Sequence, residues 1–181
     1  APSQNDVAIL KDVLKKYTGK DVTLAGGSTN LNIQENYTLA DVVELTRKNR
    51  SCYSKSGETC LYVLFLPGKF ESSSALGASF TSSAGAVFTD RLKEASSPLV
   101  SRDQVAQATL THELGHLFGL VNLTGRGSGR DDPSHPGHSS NQRSVMYWAV
   151  EDLSVGSILR GGPPTTFDGD DEAEIQRIRG S

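Results

Sequence analysis

Hydrophobic periodicity and capping residues predict four helices. At residues 6–17 apolar positions recur every three or four residues, with lysines on the opposite face. Thr38 with Asp41, and Ser101 with Gln104, have the spacing of capping boxes, which mark helix starts. Gly119 is a natural helix stop, and an acidic first turn favours the last helix. The predicted helices are 6–17, 38 to about 49, 101 to 119, and 170–178.

Short apolar runs bounded by turn residues predict strands. Residues 61–66 are continuously apolar and precede Pro67 and Gly68, which favours a buried strand. Further strands are predicted at 21–24, 78–81 and 86–89. Residues 122–143 are polar and rich in Gly, Ser, Asp and Pro, so we expect a loop with little regular structure, and a second loop at 156–166. Helices and strands mix without strict alternation, which predicts an α/β or α+β fold with a small mixed sheet.

Composition and charge exclude several classes of protein. The 181 residues are 36% hydrophobic and 22% charged, with a net charge of −3, which predicts one globular domain. This charge gives no reason to expect nucleic acid or an anionic membrane as a partner. The longest apolar run is too short to span a bilayer. The chain opens on APSQN, which reads as a trimmed start, and we expect a monomer.

Cys52 and Cys60 are the two cysteines, and they flank a short polar loop, YSKSGET. Turn-forming residues between them favour a disulfide, which implies an oxidising, secreted or otherwise extracytoplasmic location. Two free thiols in a reducing compartment are the alternative.

The stretch THELGH at residues 111–116 has the spacing of a metal site. Positions i and i+4 share one helix face, so His112 and His116 can direct two imidazole nitrogens at one ion, and zinc suits such ligands. Glu113 can reach a metal-activated water without binding the metal. It would take a proton from that water during attack on a carbonyl carbon and return it to the leaving amine.

The segment HELGHLFGL, followed by SVMY at 144–147, resembles the metzincin clan of zinc metalloendopeptidases. That clan's motif is H-E-x-x-H-x-x-G-x-x-H with a downstream methionine turn. The resemblance implies one zincin catalytic domain, with an upper subdomain at 1–119 and a smaller lower subdomain at 120–181. It also implies that Met146 lies beneath the metal as an apolar base. Residues 170–180 resemble the closing helix of matrixins.

The sequence departs from the clan motif at the third metal ligand. Asn122 stands at the position of the third histidine, and asparagine is a poor zinc ligand. Residues 138–146 resemble the archaemetzincin pattern H-C-x-x-x-x-C-x-M, with serines in place of the cysteines. This implies His138 as the third ligand, an insertion between Gly119 and His138, and no second, structural zinc. His135 is the runner-up. Asp131 or Asp132 is a further option, either as ligand or in a calcium site.

Two features near the expected cleft are less specific. In some relatives a tyrosine two positions after the methionine stabilises the oxyanion, but here that position is Trp148, so a role for Tyr147 stays open. We expect Trp148 to wall a pocket or fill the core. The architecture also implies an exposed sheet-edge strand that pairs with the substrate backbone. Residues 77–82 are the candidate, although they suit an ordinary loop equally well.

These features favour a secreted zinc endopeptidase that cleaves proteins or peptides. The alternative is a catalytically weak zincin-fold protein that binds zinc and a protein partner, with the insertion covering the cleft. Two further hypotheses are a zinc amidase that acts on a non-peptide substrate and a chance occurrence of the motif.

Overall fold

The computed structural model describes residues 2–26, 33–71, 74–121, 130–152 and 162–179. Within them the chain forms five α-helices, seven short strands and one 3-10 turn. The helices are α1 Gln4–Thr18, α2 Leu39–Asn49, α3 Thr89–Glu94, α4 Arg102–Phe118 and α5 Gly169–Arg179, and the 3-10 turn is Trp148–Val150. The strands are β1 Asn36–Tyr37, β2 Tyr62–Leu66, β3 Lys69–Phe70, β4 Gly77–Thr81, β5 Ala84–Phe88, β6 Asp131–Asp132 and β7 His135–Ser139.

Capping boxes start three of the helices, at Ser3, Thr38 and Ser101. In each box the cap side chain accepts from the backbone N–H three residues later, whose own side chain accepts from the cap backbone N–H. Gly119 ends α4 in the left-handed conformation, with φ of 86°, which glycine adopts without steric cost. The four predicted helices are confirmed, and α3 is an addition.

The central sheet has the strand order β2-β5-β4. β2 runs parallel to β5, and β4 runs antiparallel to β5, so the small mixed sheet predicted from the sequence is confirmed. α4 packs on one face of this sheet, while Val42 of α2 belongs to the apolar cluster on the other. Burial on both faces explains why β2 is a continuous apolar run.

Residues 21–24 form no strand, and the prediction made for them is wrong. An apolar run becomes a strand only where a neighbouring backbone completes its ladder, and no pairing involves these residues. Leu24 is instead 46% exposed. The parallel pair β1 and β3, two residues each, was not predicted because such short strands leave no periodic pattern.

The expectation of little regular structure in residues 122–143 is wrong for its described part. β6 and β7 pair antiparallel and form a hairpin. The hairpin precedes residues 144–147, which we call the methionine segment. Arg130, directly before β6, donates to Asp171 at 3.0 Å and to Glu174 at 2.8 Å, which ties this hairpin to α5. The predicted division into subdomains 1–119 and 120–181 stays a prediction.

The larger apolar core lies around α4, where every residue from 108 to 115 is buried. It joins residues of α1, α5 and the methionine segment, including Leu10, Val13, Met146 and Ile175. A helix buried on nearly all sides is held firmly, which suits a helix that carries functional side chains. Cys52 and Cys60 form a disulfide, with their Cα atoms 6.0 Å apart. Among the described residues, no helix combines the length and apolarity that crossing a membrane requires.

Candidate metal centre

His112 and His116 lie one turn apart on α4, with their Nε2 atoms separated by 2.9 Å. His112 is fully buried, and its Nδ1 lies 2.6 Å from the carbonyl oxygen of Val145. A carbonyl can only accept, so Nδ1 carries the proton and donates it. This tautomer leaves the Nε2 lone pair free for a metal, and the bond fixes the ring orientation.

β7 brings His138 beside this pair. Its ring centroid lies 5.3 Å from those of His112 and His116. The N–H of Ser139 donates to the carbonyl of Met146 at 2.8 Å, which holds the end of β7 against the methionine segment. Asn122 lies outside the described residues.

His135, the runner-up ligand, is engaged elsewhere. Its ring stacks on Trp148 at 4.2 Å with an interplanar angle of 9°, and its Nδ1 lies 2.8 Å from Asp132. Neither His135 nor Asp132 nor Asp131 belongs to the group of side chains that can share one ion. The structure thus brings His138, and not His135, to the helix pair.

Glu151, directly after the 3-10 turn, completes the group and was not predicted. Its Oε1 lies 3.0 Å from Nε2 of His112 and 3.3 Å from Nε2 of His116. Its Oε2 lies 3.1 Å from Nε2 of His138. One donor atom from each of these four residues lies within 4.8 Å of the other three, so the group can hold a metal ion.

The donor set fits zinc. Tetrahedral coordination with Zn–N bonds of 2.0 to 2.1 Å requires ligand atoms about 3.3 Å apart. The two helix imidazole nitrogens lie 2.9 Å apart, Glu151 lies 3.0 to 3.3 Å from each histidine, and all four donor atoms lie within 4.8 Å of one another. His138 supplies a further indication. Although its Nε2 lies near Glu151, neither ring nitrogen makes a hydrogen bond of normal geometry, and both are buried. A buried Nε2 that faces the other three donors without a hydrogen bond of normal geometry suits a metal ligand, and three imidazoles favour zinc over calcium.

Burial and close contacts shift the pKa values of Glu151, His116 and His138. Burial alone would raise the pKa of Glu151, but its close contacts with the three histidine rings outweigh burial and hold that pKa well below its usual range. Burial lowers the pKa of His116 to about 4. Burial also lowers the pKa of His138, yet contact with Glu151 makes the net shift upward. A neutral His116 near pH 7 keeps its lone pair available for a metal.

Glu113 lies in a close-fitting recess between α4 and the edge strand β4. Ser79 Oγ donates to its Oε2 at 2.6 Å, while Oε1 is buried without a hydrogen-bond partner. A Cβ at Gly77 would lie 2.5 Å from Oε1, so only glycine leaves room for this carboxylate. Burial raises the pKa of Glu113 well above its usual range, and the negative charge of Glu151 adds to this. The raised pKa is typical of a carboxyl that exchanges protons.

Met146 is fully buried and packs against Gly115, which lies between the two helix histidines. A Cβ at Gly115 would collide with the Met146 sulfur and lie 3.0 Å from Phe167 Cε1. The structure therefore places the methionine beneath α4, next to the histidine pair. Trp148 is half-buried against His135, and Tyr147 lies beside it with a ring separation of 5.6 Å.

A hydrogen-bonded cluster links the two serines that stand in the cysteine positions of the archaemetzincin pattern to the surrounding segments. Ser144 Oγ donates to the buried carboxylate of Asp171 at 2.9 Å and accepts from the N–H of Met146. Ser139 Oγ accepts from the N–H of Asn141. Asp171 also accepts a hydrogen bond from Arg130. These contacts tie the methionine segment to α5.

Comparison with known proteins supports this architecture. No protein-family model and no curated protein matches the sequence. The structure is similar to the crystal structure of archaemetzincin from Methanopyrus kandleri, with a TM-score of 0.60 and 18% sequence identity. The match covers 97% of this chain and 87% of that one. The fold matches that of archaemetzincin. At this identity the similarity shows the fold alone.

Two residues at the site escaped the sequence analysis. Glu151 belongs to no motif, and Ser79 lies in a strand rich in small residues. The alternation of Gly77 and Ser79 on one strand face was the available signal for the recess around Glu113, since residues i and i+2 of a strand point the same way.

Proposed function

We propose that this protein is a zinc-dependent endopeptidase that hydrolyses peptide bonds with metal-activated water and Glu113 as general base and acid. The observation that carries the proposal is the arrangement along α4. The buried Glu113 carboxyl directly follows His112, in the helix that supplies two members of the group able to hold a metal. A structural zinc site has no use for such a carboxyl, whereas hydrolysis needs one.

The roles of the side chains follow from this placement. His112, His116 and His138 would hold the zinc ion, which supplies Lewis-acid chemistry that polarises the peptide carbonyl and acidifies water. Glu113 accepts the water proton as the oxygen attacks the carbonyl carbon, and then donates that proton to the departing amine. Ser79 orients the Glu113 carboxylate through Oε2, which leaves Oε1 free for the proton.

The position of β4 at the edge of the sheet is evidence that the substrate is a peptide. β4 pairs only with β5 in the described sheet, so its other edge can accept a backbone. It also contacts Glu113 directly through Ser79. An extended peptide added to this edge would receive main-chain hydrogen bonds and pass beside the general base. Of residues 77–82, which the sequence left open as strand or loop, residues 77–81 form the strand β4.

Peptide cleavage tests the proposal directly. The purified protein should release fragments from casein or from a quenched peptide library. Glu113→Gln should reduce turnover by about 100- to 10,000-fold while bound zinc, measured by metal analysis, stays at one per chain. Zinc at full occupancy without cleavage of any peptide would contradict the proposal.

A catalytically weak zincin-fold protein that binds zinc and a protein partner is the second candidate. Glu151 favours it, because a carboxylate among the three imidazoles completes four donors and leaves no ligand position for water. Stable capture of one partner by the wild-type protein, unaffected by Glu113→Gln and accompanied by no hydrolysis, would support this candidate.

We further propose a secreted or extracytoplasmic location, which the Cys52–Cys60 disulfide supports, because disulfides persist in oxidising compartments. Fractionation of the source cells, with thiol labelling of the recovered protein, tests it. Recovery from a reducing compartment with both thiols free would contradict it.

A further inference from the structure

Glu151 lies where the reaction would need an open ligand position. Its two carboxylate oxygens reach the Nε2 atoms of all three histidines at 3.0 to 3.3 Å. We propose that Glu151 is an internal fourth metal ligand that closes the site, and that its carboxylate must leave before water and substrate can enter. This inference rests on the proposed function and adds a means of regulating it.

The number of donors supports closure. Zinc sites with four protein ligands are structural, whereas catalytic sites keep three protein ligands and an open position. Three imidazoles and one carboxylate give four donors within 4.8 Å of each other. With Glu151 bound, Glu113 has no water to act on. Catalysis therefore requires the group to change from four protein ligands to three.

The geometry lets Glu151 move while the histidines stay in place. His112 is completely buried and fixed by Val145, whereas the side chain of Glu151 keeps 27% of its surface exposed. The residues before it, Ala149 and Val150, are buried and hold its backbone. Rotation about the side-chain bonds of Glu151 can therefore carry the carboxylate towards solvent without moving the main chain.

The backbone of Glu151 is bonded to the strand proposed to receive the substrate. The N–H of Leu76 donates to the carbonyl of Glu151 at 2.8 Å, and Leu76 directly precedes β4. A peptide that pairs with β4 would thus bind next to the residue that closes the site. This connection gives substrate binding a direct route to favour the open form.

Cobalt substitution reads the ligand set without relying on turnover. Co²⁺ replaces zinc in such sites, and its visible spectrum reports the number and type of ligands. We expect azide to bind the Co²⁺ form of Glu151→Gln at least about tenfold more tightly than the wild type, because the glutamine amide competes poorly for the ion. Zinc affinity, measured against a chelator, should fall about 100-fold or more in the same variant, beyond the cost of losing an outer hydrogen-bond partner.

Matched variants separate this effect from general damage. Asp152→Asn alters the neighbouring acid, which is outside the four-residue group, and should leave the cobalt spectrum and the azide affinity at wild-type values. Glu151→Asp keeps the charge on a shorter side chain and should give intermediate azide affinity. If Glu151→Gln fails to fold, the comparison of Glu151→Asp with the wild type carries the test.

The outcomes also separate this inference from the proposed function. Equal azide affinity and equal cobalt spectra in the wild type and the folded Glu151 variants would overturn the closure, whether or not peptides are cleaved. If the cobalt spectra of the wild type and the Glu151 variants differ but no variant cleaves peptides, Glu151 is a ligand and the endopeptidase proposal is contradicted. Faster cleavage by Glu151→Gln, together with tighter azide binding, would support both.

Discussion

The hydroxyl of Ser79 donates a hydrogen bond to the carboxylate of Glu113 across 2.6 Å, joining the edge strand β4 to the helix α4. The same oxygen lies 3.2 Å from the Glu113 carbonyl, but a hydroxyl has a single proton, and the shorter, charge-assisted bond is the stronger. Ser79 is therefore a positioning residue for the proposed general base.

Ser79→Ala should reduce kcat/KM about tenfold or more, because a hydrogen bond to a charged group contributes about 1.5 to 3 kcal/mol. The bond lowers the pKa of Glu113, so its loss raises that pKa. Glu113 must be ionised to accept a proton, and the acidic limb of the pH–rate profile should therefore move to higher pH. Ser82→Ala, in the exposed turn after β4, is the control. An unmoved acidic limb would show that Ser79 does not act through Glu113.

The helices and part of the metal group could be predicted because they follow local rules. A capping box, a glycine stop and an i, i+4 pair of histidines all operate within a few residues. These features of α4 could therefore be located in the sequence without knowledge of the fold.

Contacts between distant segments could not be predicted in this way. Glu151 is 39 residues from His112 along the chain, and Ser79 is 34 residues from Glu113. Only the folded arrangement of β4, α4 and the 3-10 turn brings them together. Residues 21–24 show the same limit in reverse, since an apolar pattern without a neighbouring strand produced no sheet.

Gly77→Ala should disturb Glu113 without altering the metal ligands. The added Cβ would lie 2.5 Å from Oε1 and 2.8 Å from Cγ of Glu113, closer than van der Waals contact allows. We expect kcat to fall about tenfold or more as the carboxylate shifts, because small displacements of a catalytic group cost up to 100-fold. Zinc affinity should stay unchanged.

Gly169→Ala provides the matched control for Gly77→Ala, since a Cβ there meets nothing within 4 Å. Its kcat should equal that of the wild type. A fully active Gly77→Ala enzyme would show that the close approach of Gly77 to Glu113 has no catalytic consequence.

His138→Ala should lose zinc to a mild chelator, whereas His135→Ala should retain it. We expect the zinc affinity of His138→Ala to fall roughly 100-fold or more, beyond what loss of an outer hydrogen-bond partner costs. His135→Ala removes the ring stacked on Trp148 and should lower stability by about 1 kcal/mol while keeping bound zinc. The opposite pattern of zinc retention would make His135 the ligand.

Asp6 gives a pH prediction away from the metal group. Its buried carboxylate pairs with Arg102, with Oδ2 2.8 Å from Nη2, and joins α1 to the start of α4. Burial opposes ionisation, but the bonds from Arg102 and Ser3 outweigh it, so the pKa of Asp6 is lowered from 3.8. A lowered folded-state pKa stabilises the protein above the unfolded value, and that stability is lost as pH falls through the folded value.

Asp6→Asn should therefore destabilise the protein by about 2 to 3 kcal/mol at pH 7, which lowers Tm by about 4 to 12 °C. The difference in Tm from the wild type should shrink as the pH falls below 3.8 towards the folded-state pKa of Asp6, because protonation then removes the charge that only the wild type carries at this position. Comparing the two proteins at each pH cancels effects of metal release. Asp12→Asn, at an exposed position of the same helix, is the control variant. A Tm difference that stays constant from pH 7 to pH 3 would mean that the Asp6–Arg102 pair contributes through packing and not through charge.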